Sequence, residues 1–312
     1  MNGCYPSYTL GWEDITLSFE VIQMSQLHVV KMEGLGNTQA LVRASDSLKA
    51  IGYDMIARAV CNPTYGVAAD QMIVWQTIPW RGVDVGMSIY NGPDGEEVEM
   101  CGNGARCLAL LAKDHLLPKG RKTVRISTAL AGNKFGRFND DDTISLNMGK
   151  GVYGGETELD LGYRELRGHE VSVGNPHFVV FADDEVPVSG LCHLTKTLGK
   201  DVETHPHFPK KTNVEFVIPR DRQTVDVEVW ERGAGYTLAC GTGACAVALA
   251  GYKSGVLDSS VQVNFPIGSL EIKINERNEI RMTGTANYCG EFYMTDLGKT
   301  IENVERLREV LE

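Results

Sequence analysis

The order of apolar and polar residues predicts a chain of many short strands and few helices. Helical spacing occurs over residues 46–59, behind a Ser or Asp cap, and again around 192–199 and over 297–311. Short β-rich segments bounded by turn residues predict strands at 27–32, 72–76, 85–90, 123–127, 133–138, 143–148, 170–173, 178–181, 212–217, 224–231, 261–265, 269–274, 279–283 and 288–294.

Two further segments are apolar on nearly all sides, which is typical of buried helices. Each follows the same short motif, Cys-Gly-x-Gly-Ala, at Cys101–Ala105 and at Cys240–Ala244. The first helix is expected to end near His115, and a hairpin is expected to lead into each motif. Each cysteine is therefore predicted to lie at the N-terminus of a buried helix.

The order of strands, motif, buried helix and strands occurs twice, which indicates an internal duplication. We predict an α+β fold of two pseudo-symmetric lobes, each a curled, mostly antiparallel sheet around one central helix. The predicted lobes are residues 26–150 and 151–286, with an irregular glycine-rich boundary at 149–155 and with 287–312 returning to the first lobe. Residues 1–25 have no clear period and are read as an N-terminal extension that is family-specific, a cloning remnant or a misassigned start, and no function is placed on them.

Composition excludes several classes of protein. The chain has 312 residues, and its net charge of −11 argues against a nucleic-acid partner. The eight cysteines form no Cys-x-x-Cys pair, so neither a zinc site nor a disulfide framework is expected, and a reducing cytoplasm fits free thiols. No apolar segment approaches the roughly 20 residues of a membrane span, and no secretion signal is evident. The expected partner is a small molecule, and a homodimer is one possible assembly.

Two thiols at facing helix ends suggest acid–base chemistry. The first N–H groups of a helix have no partner within it, so they can bind an anion and lower the pKa of a thiol. Two close thiolates repel, so a facing pair is expected to share one proton, with one cysteine as base and the other as acid. This arrangement suits a racemase, which removes a proton from one face of a carbon and supplies one to the other.

From Leu27 to Met294 the chain resembles the diaminopimelate epimerase family. Several motifs in the right order carry the resemblance, namely Gly34–Asn37, Asp70-Gln71, Asn91–Gly95, Cys101–Cys107, Gly174–His177, Thr212–Val214, Glu231–Gly235 and Cys240–Ala244. The resemblance implies epimerisation between LL- and meso-diaminopimelate without a cofactor, in lysine and peptidoglycan precursor synthesis.

The resemblance also implies roles for individual residues. Cys101 and Cys240 match the catalytic pair, and the backbone of Gly102, Asn103, Gly241 and Thr242 would hold the reacting carboxylate. Glu231 would bind the reacting ammonium group. The distal amino-acid end would be read by Arg232, Asn91, Asn175 and Asn213, with Asn37 and Gln71 also lining the pocket. His177 is read either as a supporting residue of the site or as a structural histidine.

The chain departs from the family pattern at a few positions. Thr38-Gln39 stands where Asp-Phe is usual, and Glu33 stands where His is common. Tyr236 replaces a usual acidic residue, and Thr242 replaces a common Ser.

Other interpretations remain open. The glycine motifs lack the spacing of a dinucleotide fingerprint, and no lysine is marked for a Schiff base, so neither a nucleotide cofactor nor pyridoxal phosphate is implied. One alternative is a racemase of the same fold with another amino acid as substrate. A less favoured one is a redox protein whose function is a Cys101–Cys240 disulfide. Cys61, Cys107 and Cys245 are expected to be small buried apolar residues.

Overall fold

The computed structural model describes residues 26–78, 82–182 and 187–311. The predicted extension, residues 1–25, lies outside these ranges. The strands of the first half are β1 (Leu27–Gly34), β2 (Asn37–Arg43), β3 (Gln71–Thr77), β4 (Val85–Asn91), β5 (Glu97–Val98), β6 (Thr123–Thr128), β7 (Gly132–Phe138) and β8 (Ile144–Lys150). Those of the second half are β9 (Val152–Asp160), β10 (Glu165–Ser172), β11 (Pro176–Phe181), β12 (Asn213–Pro219), β13 (Thr224–Glu231), β14 (Gly235–Thr237), β15 (Ser260–Phe265), β16 (Gly268–Ile274), β17 (Glu279–Gly284) and β18 (Asn287–Met294).

The helices are α1 (Asp46–Ile51), α2 (Tyr53–Cys61), α3 (Gly102–His115), α4 (Val188–Glu203), α5 (Gly241–Ser254) and α6 (Leu297–Leu311). None of the helices within the described ranges is long and apolar enough to cross a membrane.

The two halves have the same strand connections, which confirms the predicted α+β duplication. In the first half β1 pairs with β2, β2 with β3, β3 with β4, β4 with β6, and β6 with β8 through β7. Strands β10, β11, β12, β13, β15, β16 and β17 repeat this order in the second half. The pairs β2–β3, β4–β6, β11–β12 and β13–β15 are parallel and the other pairs are antiparallel. Strands β8 and β17 join the halves.

Each of the two repeated strand orders is extended by the strand that follows the other one in the chain. Strand β9 follows β8 in the chain and pairs with β10, while β18 follows β17 and pairs with β1. Helix α6 then places Leu297 in an apolar cluster with α1, α2 and the outer face of β1–β3. The proposed lobe limits stay a prediction, and this exchange describes how residues 287–311 contact the first half.

One large apolar core contains both predicted buried helices. Ala105 and Leu108 of α3 and Ala244 and Leu249 of α5 are fully buried in the same cluster. Cys61, Cys107 and Cys245 are buried as expected. Helix α4 packs against β12 and β13, and its apolar residues join Phe178 and Phe216 in a smaller separate cluster.

Two local predictions were wrong. The helical segment at 46–59 is divided into α1 and α2 at Gly52, because Gly52 adopts φ 104°, which ends the first helix. The segment at 149–155 is not irregular, because its residues belong mainly to β8 and β9, and Gly149 and Gly155 adopt positive φ within or beside those strands. Strand β2 was not predicted.

Candidate active site

Each motif cysteine caps its helix in the same way. The backbone of Cys101 is extended, with φ −131° and ψ 112°, and its Sγ accepts a hydrogen bond from Gly104 N–H at 3.3 Å. Cys240 has φ −130° and ψ 118°, and its Sγ accepts from Gly243 N–H at 3.4 Å. Both sulfur atoms therefore lie at the positive end of a helix dipole.

The N-termini of α3 and α5 meet at the centre of the molecule. A Cβ atom built on Gly241 would lie only 3.6 Å from Cα of Gly102 and 3.5 Å from Oδ1 of Asn103. A Cβ atom on Gly102 would lie 2.5 Å from the Met282 methyl carbon, so a larger residue there would require the Met282 side chain to move. The two helix ends, each carrying a cysteine, face one common region.

Amide side chains from three strands surround Cys101. Gln39 Nε2 donates to Asn37 Oδ1 at 2.5 Å and to Gln71 Oε1 at 3.3 Å, and it lies 3.8 Å from Cys101 Sγ. The Cys101 thiol lies 3.5 Å from Asn37 Oδ1. Gln71 Nε2 donates to Asn91 Oδ1 at 3.1 Å, which connects the end of β4 to the same network.

The surroundings of Cys240 contain an imidazole and carboxylates. Cys240 Sγ lies 3.4 Å from Thr242 Oγ1, which accepts from Asn175 Nδ2 at 3.2 Å. Asn175 Oδ1 is 3.0 Å from His177 Nε2, and His177 Nδ1 is 2.7 Å from Glu215 Oε1. The side chains of His177 and Glu215 are both completely buried. His177 therefore belongs to the polar cluster at Cys240 as well as to the core.

Glu231 and Arg232 follow one another at the end of β13 but face different partners. The Glu231 carboxylate accepts from Thr237 Oγ1 at 2.5 Å, and its negative charge acts on the Cys240 thiol. Arg232 donates its backbone N–H to Asn213 Oδ1 at 3.0 Å, while its guanidinium lies 3.9 Å from a carboxylate oxygen of Glu99 in the first half.

Enclosure raises the pKa of both thiols, contrary to the expectation that a helix end would lower it. Burial raises the pKa of Cys101 to about 11, and the Gly104 N–H and Arg106 only partly oppose this effect. Burial also raises the pKa of Cys240, and the negative charges of Glu231 and Glu215 add to the increase. The expectation was wrong because it weighed the helix dipole without the cost of withdrawing a thiolate from water.

The predicted site residues form two groups around the helix ends. Asn37, Gln71, Asn91, Gly102 and Asn103 surround Cys101, whereas Asn175, His177, Glu231, Gly241 and Thr242 surround Cys240. Asn213 joins the second group through Pro176 O, to which its side chain donates at 2.8 Å. Within the described ranges, the guanidinium of Arg232 makes no hydrogen bond to the predicted amides and lies instead beside Glu99.

The departures from the family pattern have local explanations. Thr38 donates both its backbone N–H and its hydroxyl to Asp70 Oδ2, at 2.6 and 2.8 Å. Tyr236 donates its hydroxyl to Glu228 at 2.7 Å. Glu33 accepts from the Gly36 N–H at 2.8 Å and so braces the turn between β1 and β2.

Sequence reasoning missed three residues close to the cysteines. They are Gln39 beside Cys101, Glu215 beside His177, and the fully buried Arg106, which donates to Asn103 Oδ1 at 2.8 Å and to Thr285 O at 3.0 Å. Gln39 could have been found by aligning the two halves on the Gly-Asn pairs at Gly36 and Gly174. In that alignment Gln39 and His177 occupy equivalent positions. Within the described ranges, no group of three or more His, Cys, Asp or Glu residues is arranged to hold a metal ion.

Comparison with known proteins by sequence identifies one family. A family model described as diaminopimelate epimerase matches residues 29–153 and 170–289. Proteins named diaminopimelate epimerase from Halothermothrix orenii and Moorella thermoacetica are 36% and 37% identical, over 87% and 83% of this chain and 99% and 96% of theirs.

Among solved structures, a hydroxyproline epimerase from Agrobacterium vitis has a TM-score of 0.68 at 14% identity, covering 89% of this chain and 95% of its own. A phenazine biosynthesis protein of the PhzF family from Bacillus anthracis has a TM-score of 0.62 at 15% identity, covering 87% and 99%. At these low identities, the two similarities show a shared fold only.

Proposed function

The chain belongs to the diaminopimelate epimerase family, a family of isomerases, and from this premise we propose that it interconverts LL- and meso-2,6-diaminopimelate without a cofactor. The observation that carries the proposal is the pair of cysteines that cap two buried helices whose N-termini meet. The proposed place in metabolism is lysine and peptidoglycan precursor synthesis. A cytoplasmic location and a homodimer stay predictions.

The proposed reaction is a proton exchange at one α-carbon. One cysteine, as thiolate, removes the α-proton from one face, and the thiol of the other donates its proton to the opposite face. The bond from carbon to hydrogen breaks on one side and forms on the other, so the product carries one proton from the enzyme. The roles of Cys101 and Cys240 exchange when the substrate has the other configuration.

The helix ends supply the positive field that the reaction needs. We assign the α-carboxylate to the N–H groups of Gly102, Asn103, Gly241 and Thr242, where unpartnered donors favour an anion. The same donors stabilise the negative charge that spreads from the α-carbon into the carboxylate as the proton leaves.

Substrate binding also explains how thiols of raised pKa become reactive. Glu231 lies next to Cys240, and its charge acts on Cys101 as well, so an ammonium group bound by Glu231 would place a positive charge near both sulfur atoms. A nearby positive charge favours the thiolate. Thiolate formation is thus coupled to occupation of the site, and the empty enzyme keeps both sulfur atoms protonated.

The distal amino-acid end is assigned to the amides of Asn37, Gln71, Asn91, Asn175 and Asn213 together with Arg232. The guanidinium of an arginine can bind a carboxylate through two parallel hydrogen bonds, and amide oxygens held in place can accept from an ammonium group at a fixed distance from it. A site that hydrogen-bonds a distal group discriminates against substrates that lack it, because its buried polar groups are then unpaired. Arg232 would exchange its weak contact with Glu99 for the distal carboxylate.

The test is α-proton exchange of LL-diaminopimelate in D2O under reducing conditions, followed by NMR and chiral chromatography. We expect the wild type to introduce deuterium at one centre and to form meso product. Cys101→Ala and Cys240→Ala should lose this activity, while Cys107→Ala and Cys245→Ala, which remove buried cysteines of the same two helices, should retain it.

The same assay separates the alternatives. No exchange by folded, reduced wild type would refute the substrate assignment. Exchange with a single-headed amino acid, unaffected by Arg232→Ala, would indicate a racemase of the same fold with another substrate. Activity only after oxidation, with a Cys101–Cys240 disulfide present, would indicate the redox interpretation.

A further inference from the structure

Gln39 is a buried polar residue that the family pattern does not account for. Its side chain has no exposed surface, although an aromatic residue is usual at this place in the family. Its Nε2 faces three acceptors, namely Asn37 Oδ1, Gln71 Oε1 and Cys101 Sγ. Its Oε1 is buried without a hydrogen-bond partner among the described residues. An unpartnered buried acceptor destabilises a fold, so stability alone does not explain a glutamine here.

The duplication gives Gln39 a counterpart. Gln39 is paired with Gln71 across the parallel strands β2 and β3, and His177 is paired with Asn213 across the parallel strands β11 and β12. Both side chains are buried; Gln39 lies beside Cys101, and His177 is linked to Cys240 through Asn175 and Thr242. Each also contacts the asparagine two residues before it, through Gln39 Nε2 to Asn37 and His177 Nε2 to Asn175. The two halves therefore place a nitrogen-bearing side chain at the same position.

We propose that Gln39 is a positioning residue for Cys101, which orients the Asn37 and Gln71 amides and supplies an N–H donor to the sulfur when the thiol loses its proton. This inference rests on the proposed function for its role in turnover. The donor itself is a property of the resting protein.

The chemistry of the amide fits this role. A primary amide has two N–H donors, enough for one strong bond to Asn37 and a second shared between Gln71 and the sulfur. A hydrogen bond to an ionised acceptor is stronger and shorter than one to a neutral acceptor, so this donor favours the thiolate over the thiol.

The other charged groups that act on Cys101 come from two elements. Arg106 of α3 favours the thiolate, and Glu231 of β13 opposes it, while the Gly104 N–H donates to the sulfur from the helix itself. These groups remain in a Gln39 variant. A change in Cys101 reactivity on substitution of Gln39 is therefore attributable to the lost amide.

The experiment measures the pH dependence of alkylation by iodoacetamide, with peptide mass spectrometry to follow Cys101 and Cys240 separately. Gln39→Met keeps the length of the side chain without a donor, and Gln39→Glu keeps its shape but replaces the amide by a carboxyl group. Cys240 in the same molecules is the internal control, and Gln262→Met, on the exposed face of β15, is the matched variant. Circular dichroism and urea unfolding establish that each variant is folded.

We expect the Cys101 midpoint to rise by about one pH unit in Gln39→Met, and by more in Gln39→Glu, while the Cys240 midpoint is unchanged. The ascending limb of the kcat/KM profile should shift in the same direction. An unchanged Cys101 midpoint in both variants, or equal shifts at Cys101 and Cys240, would overturn the proposal. Alkylation needs no substrate, so failure of the proposed epimerase activity would leave this result intact and distinguishable.

Discussion

The buried contact between His177 and Glu215 allows a quantitative test of how the second half is held together. His177 Nδ1 lies 2.7 Å from Glu215 Oε1, and both side chains are completely excluded from solvent. Removing one member of a buried hydrogen-bonded pair leaves the other without a partner, which typically costs about 1–3 kcal/mol. Glu215 Oε2 is buried without a hydrogen-bond partner among the described residues. The cost of removing this oxygen from water offsets part of the stabilisation that the pair provides. We therefore expect Glu215→Ala to lower the free energy of unfolding by about 2 kcal/mol, in the middle of that range.

The exposed pair between Lys273 and Glu271 provides the matched control. Its atoms are also 2.7 Å apart, but its side chains are 50% and 46% exposed. Such a surface pair contributes about 0–1 kcal/mol, so Glu271→Ala should have little effect. Glu215→Gln, which keeps the shape and one hydrogen bond, should lose on the order of 1 kcal/mol.

The assay is urea unfolding at pH 7, followed by circular dichroism, with the slope of the transition compared among variants. A loss of less than about 1 kcal/mol for Glu215→Ala, or equal losses for the buried and the exposed variants, would refute the reasoning. Iodoacetamide reactivity of Cys240 is a second readout. Glu215 raises the pKa of that thiol, so its removal should increase the rate.

Three further predictions concern thiol reactivity, pH and packing. Burial raises the pKa of Cys101 to about 11, so its alkylation rate should still rise above pH 9, and a plateau below that pH would contradict the expectation. The pKa of Glu203 is lowered, although burial acts to raise it. The opposing effect comes from hydrogen bonds that Glu203 accepts from the Trp230 indole at 2.9 Å and from the Gly233 N–H at 3.0 Å. A carboxyl group of lowered pKa stabilises the fold above its unfolded value of about 4.3, so Glu203→Gln should be less stable than wild type at pH 7, with the difference disappearing as pH falls through the folded pKa. Gly168→Ala would place a Cβ atom 2.5 Å from the Phe178 ring, and urea unfolding should show a loss of about 1–3 kcal/mol.

The sequence predicted those parts of the fold that depend on local pattern. The helices after Cys101 and Cys240 begin where the capping motif and the apolar segment place them, because a cap and its helix are neighbours in the chain. The division at Gly52 was missed because helical spacing continues through it, and only its backbone conformation reveals the break. Strand β2 was missed because its position depends on pairing with β1 and with the distant β3.

The candidate site was predictable to the extent that the motifs contain it. Asn37, Asn91 and Asn175 lie in turn motifs that stand out in the sequence. Glu215 lies in the middle of an apolar strand, and its partner His177 is 38 residues away, so no local signal connects them. The pKa of the thiols was also beyond local reasoning, because the enclosure that raises it is made by both halves together.

The duplicated fold places the two sulfur atoms equivalently and surrounds them differently. The position of Glu215 in the second half is occupied by Ile73 in the first. Glu215 packs against Gly243 in the first turn of α5, and Ile73 packs against Gly104 in the first turn of α3. The fully buried Arg106 on α3 corresponds to Cys245 on α5, since each follows its capping cysteine by five residues.

The charges near the two cysteines therefore differ. The carboxylates of Glu215 and Glu231 act on Cys240, whereas the guanidinium of Arg106 acts on Cys101. The proposed substrate permits this inequality, because its distal centre keeps one configuration and the two directions of the reaction are not mirror images. The fold symmetry supplies the two opposed faces that proton exchange requires. The differences in charge then favour the thiolate at Cys101 over the thiolate at Cys240, so that Cys101 is expected to lose its proton more readily than Cys240 once substrate occupies the site.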